Sequence, residues 1–344
     1  MKDYVKLCLL LFIVLIVCPG AALVFSDEFK SAESPPVSAE ISDVPAEIPV
    51  VSDEFSFSGE NIKILITKTG EITEIPITEY ITYCILAETP PDYETAALEA
   101  NAVILNTYAV RQIVKQSQNP DPKLMGADVS DDFTEFQAFL DETSAENLYG
   151  EDFTKIYKKI NGIVLKMQKR IIVSDDEPII AAMHRCSPGQ TASALDVWGT
   201  DIPYLVSVDS SFDKTYEQFT AEEIFTPAEI KARFSTEVNI NFNDDIAKWI
   251  NITTSSHSGV VTTVKVGDKT ITGTDFRRIL NLQSAAFAVT FDGENFTVKT
   301  TGSGHAVGLS RYGSNEMAKR GATWEEIILH YYPGTEIANI EVRS

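Results

Sequence analysis

The stretch from Ile81 to Pro91 most limits what this chain can fold into. A nearly unbroken apolar run delivers one acid, Glu88, and two prolines follow almost at once. Tyr80, Tyr83, Cys84 and Ala87 fall at helical spacing, which predicts a short buried helix rather than a strand. The residue before a proline avoids the helical region, so this helix stops near Glu88 or Thr89. A carboxyl placed there meets the negative end of a helix dipole and apolar surface, and both disfavour its ionised form. A general acid needs such surroundings. A solvated glutamate ending an ordinary helix would use the same residues, and this stretch by itself leaves both readings open.

Around this helix the chain divides into three parts. Lys2 and Lys6 precede an apolar run from Leu7 to Val17 that resumes from Ala21 to Phe25. Residues 1–25 are therefore a signal peptide or an uncleaved membrane anchor, and either places the rest outside the cytoplasm. Residues 26–59 are rich in Ser, Pro, Glu and Asp and predict a disordered acidic tether. Residues 60–340 carry the fold. The net charge of −22 argues against nucleic acid held through its phosphates, and against docking on an anionic membrane by charge. A polymer read through its sugars requires no basic protein. Cys84 and Cys186 are the two cysteines of the folded part, which leaves one bond or two free thiols open.

Within 60–340 the pattern predicts a mixed α+β fold of helices and antiparallel sheet, two-lobed around a central cleft. Ile62–Ile66 and Ile72–Ile75 flank the Gly70 turn as a hairpin, ended by Pro76. Asp92 is the expected N-cap of a long, alanine-rich helix running to about Gln116, and Asn119–Pro122 breaks the chain after it. Phe153–Val164 reads as an amphipathic helix, and Lys169–Val173 and Pro178–Met183 as strands. Ala221–Phe234 reads as containing a helix, interrupted at Pro227. Val260–Val266 with Thr270–Thr272, and Phe287–Asp292 with Asn295–Thr300, read as two further hairpins.

Three separated segments together resemble the stage II sporulation protein D family, also called the sporulation D/amidase-enhancer domain. They are Tyr83–Val110, Met183–Asp213 with its Asp196-Val197-Trp198-Gly199 and Pro203-Tyr204-Leu205, and Gly302–Ile337 with its Gly302-Ser303-Gly304-His305. The resemblance implies a peptidoglycan lytic transglycosylase without metal or organic cofactor, its essential acid at Glu88. It implies substrate contacts from His305, Tyr204, Ser310, Tyr312, Asn106 and Thr191, with His305 open also to orienting Glu88 or to a structural role. It implies peptidoglycan glycan strands and a cell-wall amidase as partners. A non-catalytic wall-binding module that enhances an amidase is the competing reading. Asn101, Asn106, Ala192, Ala306 and Arg311 replace the family's Gln, Arg, Glu, Gly and Gln, and Pro188-Gly189 its glycine pair. Some members hold zinc in a loop after the long helix. Here the matching stretch, Asp128–Gln137, carries Ser130, Glu135 and Phe136 at the ligand positions, so no zinc is expected there, with His184 and Cys186 the next place to look.

Overall fold

The computed structural model describes residues 59–238 and 240–340. The membrane segment expected at 1–25, and the acidic tether up to its last residue, lie outside them. Among the described residues no helix is long and apolar enough to cross a membrane.

The chain opens with β1 (Asn61–Ile66) and β2 (Glu71–Pro76), an antiparallel hairpin in which Ile62 and Ile64 turn inward. Pro76, paired with Asn61, closes the hairpin and leads directly into α1 (Ile77–Glu88). From Tyr80 to Glu88 every residue of α1 is buried, as expected of a helix apolar on all sides. It ends where the sequence requires. Thr89, held before Pro90, takes an extended conformation while its N–H still reaches the Ile85 carbonyl at 2.8 Å.

The long helix α2 (Thr95–Gln118) is buried without interruption from Ala97 to Val110. Its small residues Ala100 and Ala102 let the neighbouring helices approach closely, and both belong to the main core. The expected start at Asp92 is corrected. Pro90–Tyr93 turns back on itself, and the Glu94 N–H is accepted by Asn315 Oδ1 at 2.8 Å, so the helix begins after that tertiary contact. β3 (Val129–Ser130) lies parallel to β1. Then α3 (Glu142–Tyr149) and α4 (Phe153–Met167) follow, α4 burying Ile160, Val164 and Met167 against α1 and α2.

β4 (Arg170–Ser174) turns through Asp175 and Asp176, both at positive φ, into β5 (Glu177–Pro178). The strand expected over Pro178–Met183 survives only at its ends, in β5 and β6 (Met183–His184). Between them Ile180 gives its N–H to the Tyr204 hydroxyl instead of a strand partner. The short helix α5 (Ala194–Trp198) is capped by Ser193.

A second apolar core gathers β7 (Thr220–Phe225), α6 (Pro227–Glu237), β8 (Ile250–Ser255), β9 (Val261–Val266), β10 (Lys269–Thr272), α7 (Gly273–Leu280), β11 (Phe287–Phe291) and β12 (Phe296–Thr301). Two antiparallel sheets, β10-β9-β8 and β11-β12-β7, build it, and the two later hairpins stand where the sequence puts them. The helix expected within Ala221–Phe234 is present from Pro227 onward, as α6 behind a Thr226–Glu229 capping box, while the residues before it, Thr220–Phe225, pair with β12.

The chain re-enters the main core through β13 (Leu309–Ser310), parallel to β6, and ends with α8 (Arg311–Lys319), α9 (Trp324–Tyr331) and β14 (Glu336–Asn339), antiparallel to β4. The sheets are thus largely antiparallel, with short parallel pairings at β1–β3 and β6–β13.

The bend before β13 depends on two left-handed residues. Gly308 has φ 69°, and a Cβ there would lie 2.1 Å from the Ala182 carbonyl oxygen. Ala306 adopts φ 66° with a side chain in place. Gly308→Ala therefore destabilises the protein by about 3 kcal/mol or more, whereas Ala306→Gly, which relieves strain but gives up a buried methyl and loosens the unfolded chain, changes stability by less than about 1 kcal/mol. Urea unfolding of the two variants checks the difference.

Candidate active site

Glu88 arrives at the carboxyl end of α1 with its side chain 3% exposed. Arg311, the first residue of α8 and equally buried, meets it through both nitrogens of its fork: Nη1 donates to Oε2 at 2.7 Å and Nη2 to Oε1 at 3.3 Å. Gln137 Nε2 also donates to Oε2. The segment after β3 delivers Gln137, whose backbone N–H is accepted by the Tyr108 hydroxyl. Nearby, Phe139 stacks on Tyr80 with ring centroids 5.5 Å apart. The apolar surroundings expected of Glu88 are present on its own helix, where burial pushes the Tyr80 phenol and the Cys84 thiol well up, keeping both neutral. On its other side the carboxylate meets a guanidinium.

The β6–β13 pairing places Ser310 opposite His184, with Arg311 next in line. His184 Nδ1 donates to the Val307 carbonyl at 3.1 Å, so Nε2 carries the lone pair. Among the described residues neither that Nε2 nor Arg311 Nε has a hydrogen-bond partner, although both are buried. His305 accepts the Val307 N–H at Nδ1 and lies 5.7 Å, ring to ring, from both His184 and Trp198. Burial, followed by the Arg277 charge, lowers the His305 pKa from 6.5 to about 3, and burial lowers that of His184 well below its ordinary value. The charge of Arg311 contributes to both shifts, so its field spans Glu88 and the histidine pair.

The remaining expected contacts fall into two groups. Ser310, Thr191 and Asn106 are buried, with their polar atoms hydrogen-bonded within the fold. Ser310 donates to Asp213 Oδ1 at 2.7 Å and caps α8 by accepting the Gly313 N–H. Thr191 bridges Val206 O and Val208 N, and Asn106 donates to the carbonyls of Gln168 and Arg170. Tyr204 and Tyr312 are half-buried. Tyr204 holds the Ile180 N–H, while the Tyr312 ring lies 4.8 Å from that of Tyr216. Tyr93, half-buried as well, is within the fields of Arg311, Tyr216 and Tyr312. Sequence reasoning did not single out Gln137, Tyr93 or Tyr216 as site residues, and met Arg311 only as a departure from a motif.

The stretch Asp128–Gln137 offers no thiolate pair. Ser130 Oγ accepts the Asp132 N–H, and Phe136 packs against Leu65, Leu124 and Ala127. Among the described residues no group of three or more His, Cys, Asp or Glu side chains is placed to hold a metal ion. Cys84 and Cys186 are free and buried.

A recessed carboxylate held by arginine and glutamine, where three distant segments of a mixed α+β chain meet, defines a candidate acid–base site. Comparison with known proteins gives the class a family. The family model for Stage II sporulation protein matches residues 66–173. Stage II sporulation protein D of Bacillus subtilis is 33% identical over 281 residues, which is 82% of this chain and 80% of that protein. The protein of the same name from Bacillus amyloliquefaciens is 30% identical over 82% of this chain and 79% of its own length. The amidase enhancer of Bacillus subtilis is 20% identical over 73% of this chain and 39% of its own. The chain belongs to the stage II sporulation protein D family.

The lowered His305 value has a measurable consequence. In the unfolded chain the imidazole takes its proton near 6.5, in the folded chain only near 3, so the unfolded state binds more protons between them. Stability is complete above that range and is lost as pH falls through it. Removing the titrating ring in His305→Gln makes the melting temperature less dependent on pH between about 7 and about 4 than in the wild type. Thermal unfolding across that range measures the two slopes.

Proposed function

We propose that this chain is a lytic transglycosylase that cleaves the glycan strands of peptidoglycan, with Glu88 as its acid and base. The observation that carries this reading is the Glu88 carboxylate, recessed at the end of α1 and contacted by Arg311 and Gln137 rather than by a second acid. Most glycoside hydrolases use two carboxylates, one to protonate the leaving oxygen and one to attack or to activate water. A transglycosylase closing an internal ring can use one. Protonated Glu88 gives its proton to the glycosidic oxygen as the bond to the anomeric carbon breaks. The resulting carboxylate then takes the proton of the C6 hydroxyl, whose oxygen closes on the anomeric carbon as a 1,6-anhydro ring. Glu88 ends as it began, and neither water nor a cofactor is consumed.

The half-buried Tyr312 and Tyr204 suit the apolar faces of sugars, and His305 supplies a neutral ring beside Trp198. The cell-wall role we propose is remodelling during sporulation, outside the cytoplasm, with the N-terminal segment at the membrane and an amidase that strips stem peptides as partner. The relationship to a protein named amidase enhancer supports that partnership.

One observation favours the competing reading, a wall-binding module that stimulates an amidase without cleaving glycan. Both oxygens of Glu88 are already engaged by Arg311. Digestion of peptide-stripped glycan, with mass spectrometry of the ends, decides between them. The wild type should yield anhydro-muramic ends, and Glu88→Gln should slow their release by about 10²–10⁴-fold while still binding the strands. Equal rates for the two proteins, or binding without any cleavage, would replace the enzyme by the module.

A further inference from the structure

The net charge of −22 describes the whole chain and not each of its faces. Residues 153–170 carry Lys155, Lys158, Lys159, Lys166, Lys169 and Arg170 and no acid, in a chain with 50 acids against 28 lysines and arginines. The helix formed there, α4, buries Ile160, Val164 and Met167 against α1 and α2. At about 100° per residue its other side gathers Lys155, Lys158, Lys159, Gly162, Leu165 and Lys166 within an arc of about 120°. Lys169 continues the face in the turn that follows. All five lysines are exposed, and Leu165 among them keeps 46% of its surface exposed. Two of the lysines tie the helix down. Lys159 Nζ donates to the Pro91 carbonyl at 2.6 Å, and Lys166 Nζ meets Glu99 Oε1 at 2.5 Å. Lys155, Lys158 and Lys169 form no ion pair among the described residues. Glu79 and Glu142 act on the Tyr157 phenol, on another side of the helix. A face that served only solubility would mix the two signs of charge, and this one does not.

We propose that the lysine face of α4 docks on an anionic lipid bilayer, with Lys155, Lys158 and Lys169 at the headgroup phosphates and Leu165 entering the layer among them. The proposal rests on the placement at the outer side of a membrane proposed above. Basic side chains around an exposed apolar one are what an anionic bilayer surface holds, by attraction to the headgroups and burial of the apolar group together. A soluble phosphodiester polymer or an acidic protein would use the lysines and leave Leu165 in water. The rest of the chain, strongly acidic, is repelled by such a surface, so this face sets the orientation in which the domain approaches. A membrane segment at residues 1–25, as the sequence leads one to expect, is joined to β1 through residues 26–59, which ties a bilayer to this domain and raises its effective concentration.

The test mixes the full chain with vesicles of phosphatidylcholine, with vesicles containing about one third phosphatidylglycerol, and with a free glycerol phosphate polymer. Amine-reactive labelling of each lysine is followed by mass spectrometry. On the anionic vesicles Lys155, Lys158 and Lys169 should label at least about fivefold more slowly than on the neutral ones, the factor that one lysine near such a surface contributes. Lys231 and Lys299, exposed around the second core, should keep their rates. The combined variant Lys155→Gln, Lys158→Gln and Lys169→Gln should melt with the wild type and label Lys166 equally on both vesicles. Equal labelling of the wild type on neutral and anionic vesicles would overturn the docking, with no variant needed to show it. Protection by the polymer and not by the vesicles would overturn it too, and would make a wall phosphodiester the occupant. Retention on the neutral vesicles reads the N-terminal segment separately. Where retention fails, the anchor fails, and the contrast between the two lipids still decides the lysine face.

Discussion

The ion pair between Glu88 and Arg311 joins residues 223 positions apart and fixes α8 against the end of α1. Neither charge could be buried alone. Desolvation of a carboxylate or a guanidinium exceeds what ordinary packing returns, and removing one partner of a buried pair costs about 3–5 kcal/mol. Formation of the pair therefore requires α1, α8 and the segment carrying Gln137 to reach their places together. The start of α8 is fixed a second time by Ser310, which caps the helix and holds Asp213 in the same stroke. Burial raises the Asp213 pKa while its hydrogen bonds oppose the shift. The acid at the centre of the site is thus positioned by a framework that is itself polar and satisfied.

Much of the fold could be read locally. The span of α1 follows from apolar spacing and a proline pair, and three hairpins follow from alternation around glycine or aspartate turns. The failures have one cause, contacts made far along the chain. Asp92 looks like a cap, yet Asn315, more than two hundred residues away, decides where α2 begins. Thr220–Phe225 carries no local sign of its strand because its pairing partner, β12, lies over seventy residues further on.

The site divides in the same way. Glu88 could be placed at the end of a buried helix from sequence alone, but its neighbour Arg311 could not, since no local pattern pairs them. Ser310, Thr191 and Asn106 sit in motif segments and resemble ligand contacts there. Only three-dimensional packing shows that their hydrogen bonds close the framework. Gln137 had one available signal, its place at the end of a stretch already matched to a family pattern.

The second apolar core leaves and rejoins the first at a single narrow neck. The Gly302 N–H bonds the Phe219 carbonyl at 2.8 Å, and Cys186 and Ser303 exchange both backbone hydrogen bonds beside it. Among the described residues of the intervening stretch, only Val260, Ala285 and Ala286 pack into the first core. This is the architecture of a cassette. A loop whose ends already touch adds little closure entropy when it is shortened, lengthened or exchanged. The eighty-odd residues between its ends are free to diverge in size and surface while the acid, its arginine and the histidine pair keep their places.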